Sequence, residues 1–239
     1  MGRENQLPAD NDDNSLAGID LLFGLGTKEL AVIEKSSRWR RYAPHQQIID
    51  KESTTRDVCF VVSGRVRVVN YSFSGRGIIL DELNAGGFFG ELSALDGLPR
   101  SARVVALDQA MIAFLPRHAF LRLLDANPPV AMKVMTHLAK IVRASTQRIM
   151  DLSTLGANNR VHADLLRLVG DLDDDAIEAT IEPIPIHGDI ASRVSTSRET
   201  VARVMNDLAR KGIVEKKGNK LVIGDLRRLR DMVEDVRGD

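Results

Sequence analysis

The chain has 239 residues, 44% hydrophobic and 28% charged, enough for one large domain or two modest ones with real cores. Lys plus Arg and Asp plus Glu both number 33, so the net charge is zero and any basic surface must be local. One cysteine, Cys59, excludes an internal disulfide framework and the clustered thiolates of iron–sulfur ligation. No apolar run approaches the roughly 20 residues of a membrane span, and the first residues contain no signal-peptide core, so a cytoplasmic protein is expected.

Residues 1–18 are expected to form a disordered tail, because the first fifteen are polar and rich in Asn and Asp. Leu21, Leu22 and Phe23, then Leu25, Leu30 and Ile33 at helical spacing, predict one or two short helices. From about 37 to 118 the pattern changes to short strands at 47–49, 58–62, 65–70, 77–83, 103–107 and 110–115, punctuated by glycines. Strands at this spacing with no helices between them imply an antiparallel roll or sandwich. Cys59 falls inside one of these runs and reads as a core thiol. Gly75-x-Gly77 lies between strands and reads as a hairpin turn, not a dinucleotide loop.

One long stretch interrupts the strands, Phe89-Gly90-Glu91-Leu92-Ser93 through Arg100-Ser101-Ala102. Gly90 to Ser93 can open a short helix whose free N–H groups face an anion. Arg100 can hold a phosphate through two N–H groups and Ser101 can donate a further bond. Glu91 fits beside a phosphate only if the ligand offers it a hydroxyl. The alternative is a surface turn closed by an Arg–Glu ion pair.

Pro128-Pro129 predicts the start of a long helix at Val130. Met135, Leu138, Val142, Ser145, Ile149 and Leu152 follow at alternating three- and four-residue steps, a seam that wants a partner helix unless it lies on its own domain. Ser145 is out of place in such a seam, since a buried hydroxyl costs stability unless something bonds to it. Residues 156–159 read as the helix end and a hinge, 160–169 as another helix, and Asp171 to Asp175 as an acidic solvated loop. The run 181–186, broken by Pro183 and Pro185, is at best an edge strand.

Residues 187–208 read as helix, turn, helix, with Ile190, Ala191 and Val194 on the first apolar stripe and Val201, Val204, Met205 and Leu208 on the second. Ser197 is a candidate N-cap. Between Gly188 and Lys220 eight Lys or Arg stand against four acids, a local excess of positive charge inside a neutral chain. Arg198, Glu199 and Arg203 fall on the first turns of the second helix, where a recognition helix presents side chains to the major groove. Arg can take O6 and N7 of guanine and Glu can accept from cytosine N4; a charged solvated face is the alternative. Lys216 and Lys217 lie in a predicted hairpin wing within reach of phosphates, and Leu226, Leu229 and Val233 suggest one more short helix.

The stretch from Phe89 to Ala102 resembles the phosphate-binding cassette of cyclic-nucleotide-binding domains. Together with Ser197-Arg198-Glu199-Thr200-Val201 and Arg203, it makes the chain similar to the CRP/FNR family of bacterial transcription factors, from about residue 20 to about 224. The resemblance implies an α+β fold: a cyclic-nucleotide-binding β-roll over 19–129, a dimerisation helix and hinge over 130–157, and a winged helix-turn-helix over 158–239. It implies a homodimer through helix 130–155 that binds cAMP or cGMP through Gly90, Glu91, Leu92, Arg100 and Ser101. Ser145 and Thr146 align with the family's hydroxyl pair, which touches the base from both subunits. The resemblance further implies a TGTGA-type half-site in double-stranded DNA read by Arg198, Glu199 and Arg203, with Ser197 and Thr200 toward phosphate. RNA polymerase is the further partner it implies, and no membrane contact is expected.

The alternatives are the same DNA-binding class with a different signal, cyclic di-GMP or haem, and a cyclic-nucleotide module that regulates a protein partner. No nucleophile triad, paired-carboxylate constellation or metal-ligand cluster appears, and His45, His118, His137, His162 and His187 are scattered. No enzyme and no metal is expected.

Overall fold

Two apolar runs too continuous for half-exposed strands become intelligible once their surroundings are seen. In the computed structural model, β3 (Val58–Ser63) and β8 (Ala110–Leu115) pair antiparallel and are covered on both faces. Cys59, Val61, Ala110, Ile112 and Phe114 face a second sheet. Val58, Phe60, Ala113 and Leu115 face helices. A strand buried on both sides loses the apolar–polar alternation, which is why these two read as solid hydrophobic blocks. Cys59 is wholly buried among them, and burial pushes its thiol far above the ordinary range.

The structure describes residues 14–72, 75, 77–170 and 176–237. Most of the predicted tail, three residues of the turn around Gly75, and the acidic loop Asp171 to Asp175 lie outside the described residues. The chain divides into two compact units, one up to Lys140 and the other from Ile141.

In the first unit, one antiparallel sheet runs β1 (Arg38–Tyr42), β8, β3, β6 (Phe88–Phe89). The other runs β2 (Gln47–Ile49), β7 (Arg103–Ala106), β4 (Val66–Tyr71), β5 (Gly77–Leu83). The outer face of the first sheet is closed by a 3-10 turn at Asp20–Leu22, by α1 (Thr27–Ser36), by α3 (Arg117–Ala126) and by Val130 and Val134 of α4 (Pro128–Thr154). The helix α2 (Glu91–Asp96) interrupts the strands between β6 and β7. The helix α4 begins at Pro128 instead of Val130, because a proline in the first turn gives up an N–H that would have no helical acceptor.

The second unit contains the rest of α4, then α5 (Ala157–Val169), β9 (Ala179–Ile181), α6 (His187–Arg193), α7 (Arg198–Arg210), β10 (Val214–Lys217), β11 (Lys220–Ile223) and α8 (Leu226–Arg237). The three strands form a sheet ordered β10, β11, β9. Two expectations are corrected. The break after α4 is only Leu155-Gly156, with Gly156 capping α5, so Ala157, Asn158 and Asn159 are helical. The edge strand lies at Ala179–Ile181 instead of 181–186, since Pro183 and Pro185 have no N–H to contribute. Asp164 is wholly buried and held by Arg193 at 2.9 Å and Arg167 at 3.3 Å, so α5 is pinned to α6 inside the unit.

Candidate functional site

The turn into α2 depends on glycine. Gly90 sits at φ 84°, ψ 9°, and a Cβ there would collide with the guanidinium of Arg100 and stand 3.0 Å from the carbonyl oxygen of Asp57. Only a residue without a side chain gives both a left-handed turn and that close approach. Phe88 and Phe89 anchor the turn by entering opposite faces of the sheet. The far end of α2 is closed by cations: Arg117 donates to the carbonyls of Ala94 (2.8 Å) and Leu95 (3.4 Å), and Arg56 to that of Gly97 (2.6 Å). Positive charge at a helix C-terminus is favourable and leaves the opposite end open to an anion.

Arg100 is 3% exposed. It donates to Thr55 Oγ1 (3.1 Å) and to the carbonyls of Gly90 (3.0 Å) and Asp57 (2.7 Å), while its own backbone pairs with Ser53 and Glu52. The ion pair with Glu91 that a simple surface turn would make is replaced by these neutral acceptors. A guanidinium has five N–H groups, so two remain for a phosphate, and among the described residues Arg100 enters no ion pair. Glu91 is buried too, and burial pushes its carboxyl upward; its own backbone N–H, His137 and Arg100 oppose the shift, while Asp81 adds to it. His137 Nε2 lies 3.9 Å from Glu91 Oε1, with its ring 4.6 Å from that of Phe88. Leu92 and Ser101 are exposed, and Ser93 is buried with its hydroxyl toward Pro99.

The structure therefore brings Gly90, Glu91, Leu92, Arg100 and Ser101 into one region. Ser145 and Thr146 are exposed on α4 beyond the unit boundary. The same helix exposes Met135, Val142, Ile149 and Leu152, an apolar seam left uncovered among the described residues; Leu138 instead packs on the core. Sequence reasoning missed His137, Arg56 and Arg117, whose contacts span more than 20 residues and have no local signature.

In the second unit, α6 and α7 join through a tight turn in which Ser195 adopts φ 54°, paying the strain that glycine would avoid. Arg160 on α5 holds that turn by donating to the carbonyls of Val194 (2.9 Å) and Ser195 (3.4 Å), and also to Leu155 at the end of α4 (2.8 Å). Ser197 caps α7 by accepting from the Thr200 N–H (3.2 Å). Arg198, Glu199 and Arg203 are exposed, and neither guanidinium enters an ion pair among the described residues. Gly188 has no Cβ to obstruct the Arg198 guanidinium, whose Nε comes within 2.8 Å of where one would be. The Glu199 carboxyl is held below its usual range by its own backbone N–H and by the Ser197 hydroxyl, so it is an acceptor. Lys216 and Lys217 lie exposed on the β10–β11 wing, Lys217 paired with Glu215 at 3.0 Å.

Residues 39–127 match the cyclic nucleotide-binding domain, and residues 159–232 the Crp-like helix-turn-helix domain. The cyclic AMP receptor protein of Thermus thermophilus is 31% identical over 83% of this chain and 89% of its own. A CooA mutant from Carboxydothermus hydrogenoformans superposes with a TM-score of 0.74 at 22% identity, over 85% of this chain and 90% of that one. CLP of Xanthomonas campestris, a regulator described as c-di-GMP-responsive, gives 0.66 at 19% identity, covering 83% and 99%. The cassette and the recognition helix thus stand in register with two matched domains in one chain, which belongs to the CRP/FNR family of DNA-binding transcription regulators.

Proposed function

We propose that this regulator is a homodimer switched by a cyclic 3′,5′-mononucleotide, with cAMP as its ligand. The observation that carries the reading is Arg100, buried next to the glycine turn and a buried carboxylate and in no ion pair among the described residues. A cyclic phosphate would neutralise Arg100 and take Ser101, while Glu91 accepts from the ribose 2′-hydroxyl. This set suits a cyclic mononucleotide better than cyclic di-GMP or haem. The 31% identical relative is named for cyclic AMP, which favours adenine over guanine. Ser145 and Thr146 of the two copies would meet the base, and their exposure in the single chain is consistent with that use.

The domains run 19–129 for the roll, 130–157 for the dimerisation helix and hinge, and 158–239 for DNA binding. The ligand biases the dimer toward a state with two recognition helices about one DNA turn (roughly 34 Å) apart. Arg198, Glu199 and Arg203 then read TGTGA-type half-sites, Ser197, Thr200, Lys216 and Lys217 contact phosphates, and RNA polymerase is the downstream partner in the cytoplasm. The experiment is calorimetric titration with cAMP and cGMP, repeated on Arg100→Lys, which keeps the charge and loses the planar fork. Micromolar or tighter binding of cAMP that the variant loses supports the reading, and no binding of either nucleotide overturns it.

A further inference from the structure

The proposed pocket contains one ionisable side chain that the cassette does not supply. His137 lies on α4, far downstream in the chain, yet its Nε2 stands 3.9 Å from Glu91 Oε1 and its ring packs at 4.6 Å on Phe88, the residue that leads into the glycine turn. Glu91 faces it from α2 and Asp81 from β5, and Arg100 acts on Glu91 from the loop beyond α2. Its neighbour one turn earlier, Lys133, is directed elsewhere, to the carbonyls of Asp20 (3.0 Å) and Phe23 (2.7 Å).

A buried carboxylate that must accept a bond from a sugar hydroxyl faces two difficulties. Burial favours its neutral acid form, which gives up acceptor capacity, and with one anchor its plane is free to turn. A basic side chain beside it counters both. At 3.9 Å the contact is too long for a hydrogen bond, so His137 stands beside Glu91 without taking up a lone pair the ribose needs.

We infer that His137 is a positioning residue for Glu91: its ring, fixed against Phe88, holds the carboxylate in place for the sugar and so sets the preference for a ribose over a deoxyribose cyclic nucleotide. The inference rests on the cyclic-mononucleotide reading of the site. Recognition of the phosphate by Arg100 is independent of His137. The effect is therefore confined to nucleotides carrying a 2′-hydroxyl.

The test is equilibrium binding of cAMP and 2′-deoxy-cAMP to the full chain, for the parent protein and for His137→Phe, which keeps the ring against Phe88. His137→Gln serves as a second uncharged side chain should the phenylalanine disturb folding, and Glu91→Gln completes a double-mutant cycle. In the parent, the ratio of the two affinities should exceed that of His137→Phe by roughly threefold, the size expected of a partly exposed pair. In a Glu91→Gln background the His137 substitution should have no effect. Equal loss of affinity for both nucleotides, or an unchanged ratio, overturns the inference by reducing His137 to packing. A parent protein that binds neither nucleotide removes the underlying reading and the inference with it, and that failure shows before any variant is made.

Discussion

Gly90 and Arg100 define one another. The glycine turns at positive φ so that the guanidinium can rest on its carbonyl, and the guanidinium in turn fills the space a Cβ would need. Gly90→Ala places an L side chain in the left-handed region, at about 1–2 kcal/mol, and drives it into Arg100 as well. Thermal unfolding should show a loss of about 2 kcal/mol or more, and cyclic-nucleotide binding should fall with it; an unchanged melting temperature would mean that the turn relaxes freely. Glu91 and Arg100 could be singled out from spacing alone because their setting is local. The partners of Arg100 could not, since Thr55, Asp57 and the backbone of Ser53 reach it only through folding. The sequence suggested a side chain free to clamp a phosphate, whereas the folded chain already uses three of its N–H groups to build the pocket wall. Arg198 has no such second duty. Arg198→Ala should cost about 1–3 kcal/mol in site-specific DNA binding with little effect on stability, measured by titrating specific and scrambled duplexes.

Between single side chains and the assembled protein, the elements differ in how much of themselves the sequence displayed. The strands β3 and β8 stood out because burial on both faces forces an unbroken apolar run. The strand β1 escaped notice because it is an edge strand with the sequence Arg38-Trp39-Arg40-Arg41-Tyr42, in which only Tyr42 is fully buried. The helix α3 was missed because it buries only Phe120 and Leu123 and follows Pro116 directly out of β8. The helix α5 reads plainly as amphipathic, but it contains a histidine whose setting only packing reveals. His162 is 5% exposed and its Nδ1 has no hydrogen-bond partner among the described residues. Burial lowers its affinity for a proton, Lys211 lowers it further, and Asp207 opposes them. An unfolded histidine titrates near 6.5. Above that pH neither state carries the proton and stability is complete. As the pH falls below it, the unfolded chain takes up the proton first and stability is lost down to the lower folded value. Comparison of melting temperatures at pH 7.5 and 5.5 should show a smaller acid-induced drop in His162→Leu than in the parent. An equal drop would mean that the ring finds a partner on protonation.

Neither unit by itself accounts for the face of α4 that crosses from one to the other. Val142 and Ile149 are each 63% exposed, and Met135 is 53% exposed, although a solvated helix has no use for large apolar side chains at such spacing. Their a/d phase fits the second copy of the same helix proposed above, whose two-fold symmetry would match a palindrome read by two recognition helices. Val142→Glu tests this directly, because a side chain so exposed contributes little to the single chain's stability while a carboxylate would face its own symmetry mate. The variant should melt close to the parent and sediment as a monomer. Affinity for a palindromic site should drop toward that of a single half-site. The variant should also break the exchange between the two ends of the protein: in the dimer, whatever factor cAMP adds to DNA affinity must be returned by DNA to cAMP affinity. If the recognition helices are aligned only through paired α4 helices, the monomer should bind cAMP with the same constant whether or not DNA is present. A variant that remains dimeric, or a monomer that keeps the reciprocal effect, would move the coupling into the single chain, where Arg160, bonded both to Leu155 and to the turn before α7, would be the residue to examine.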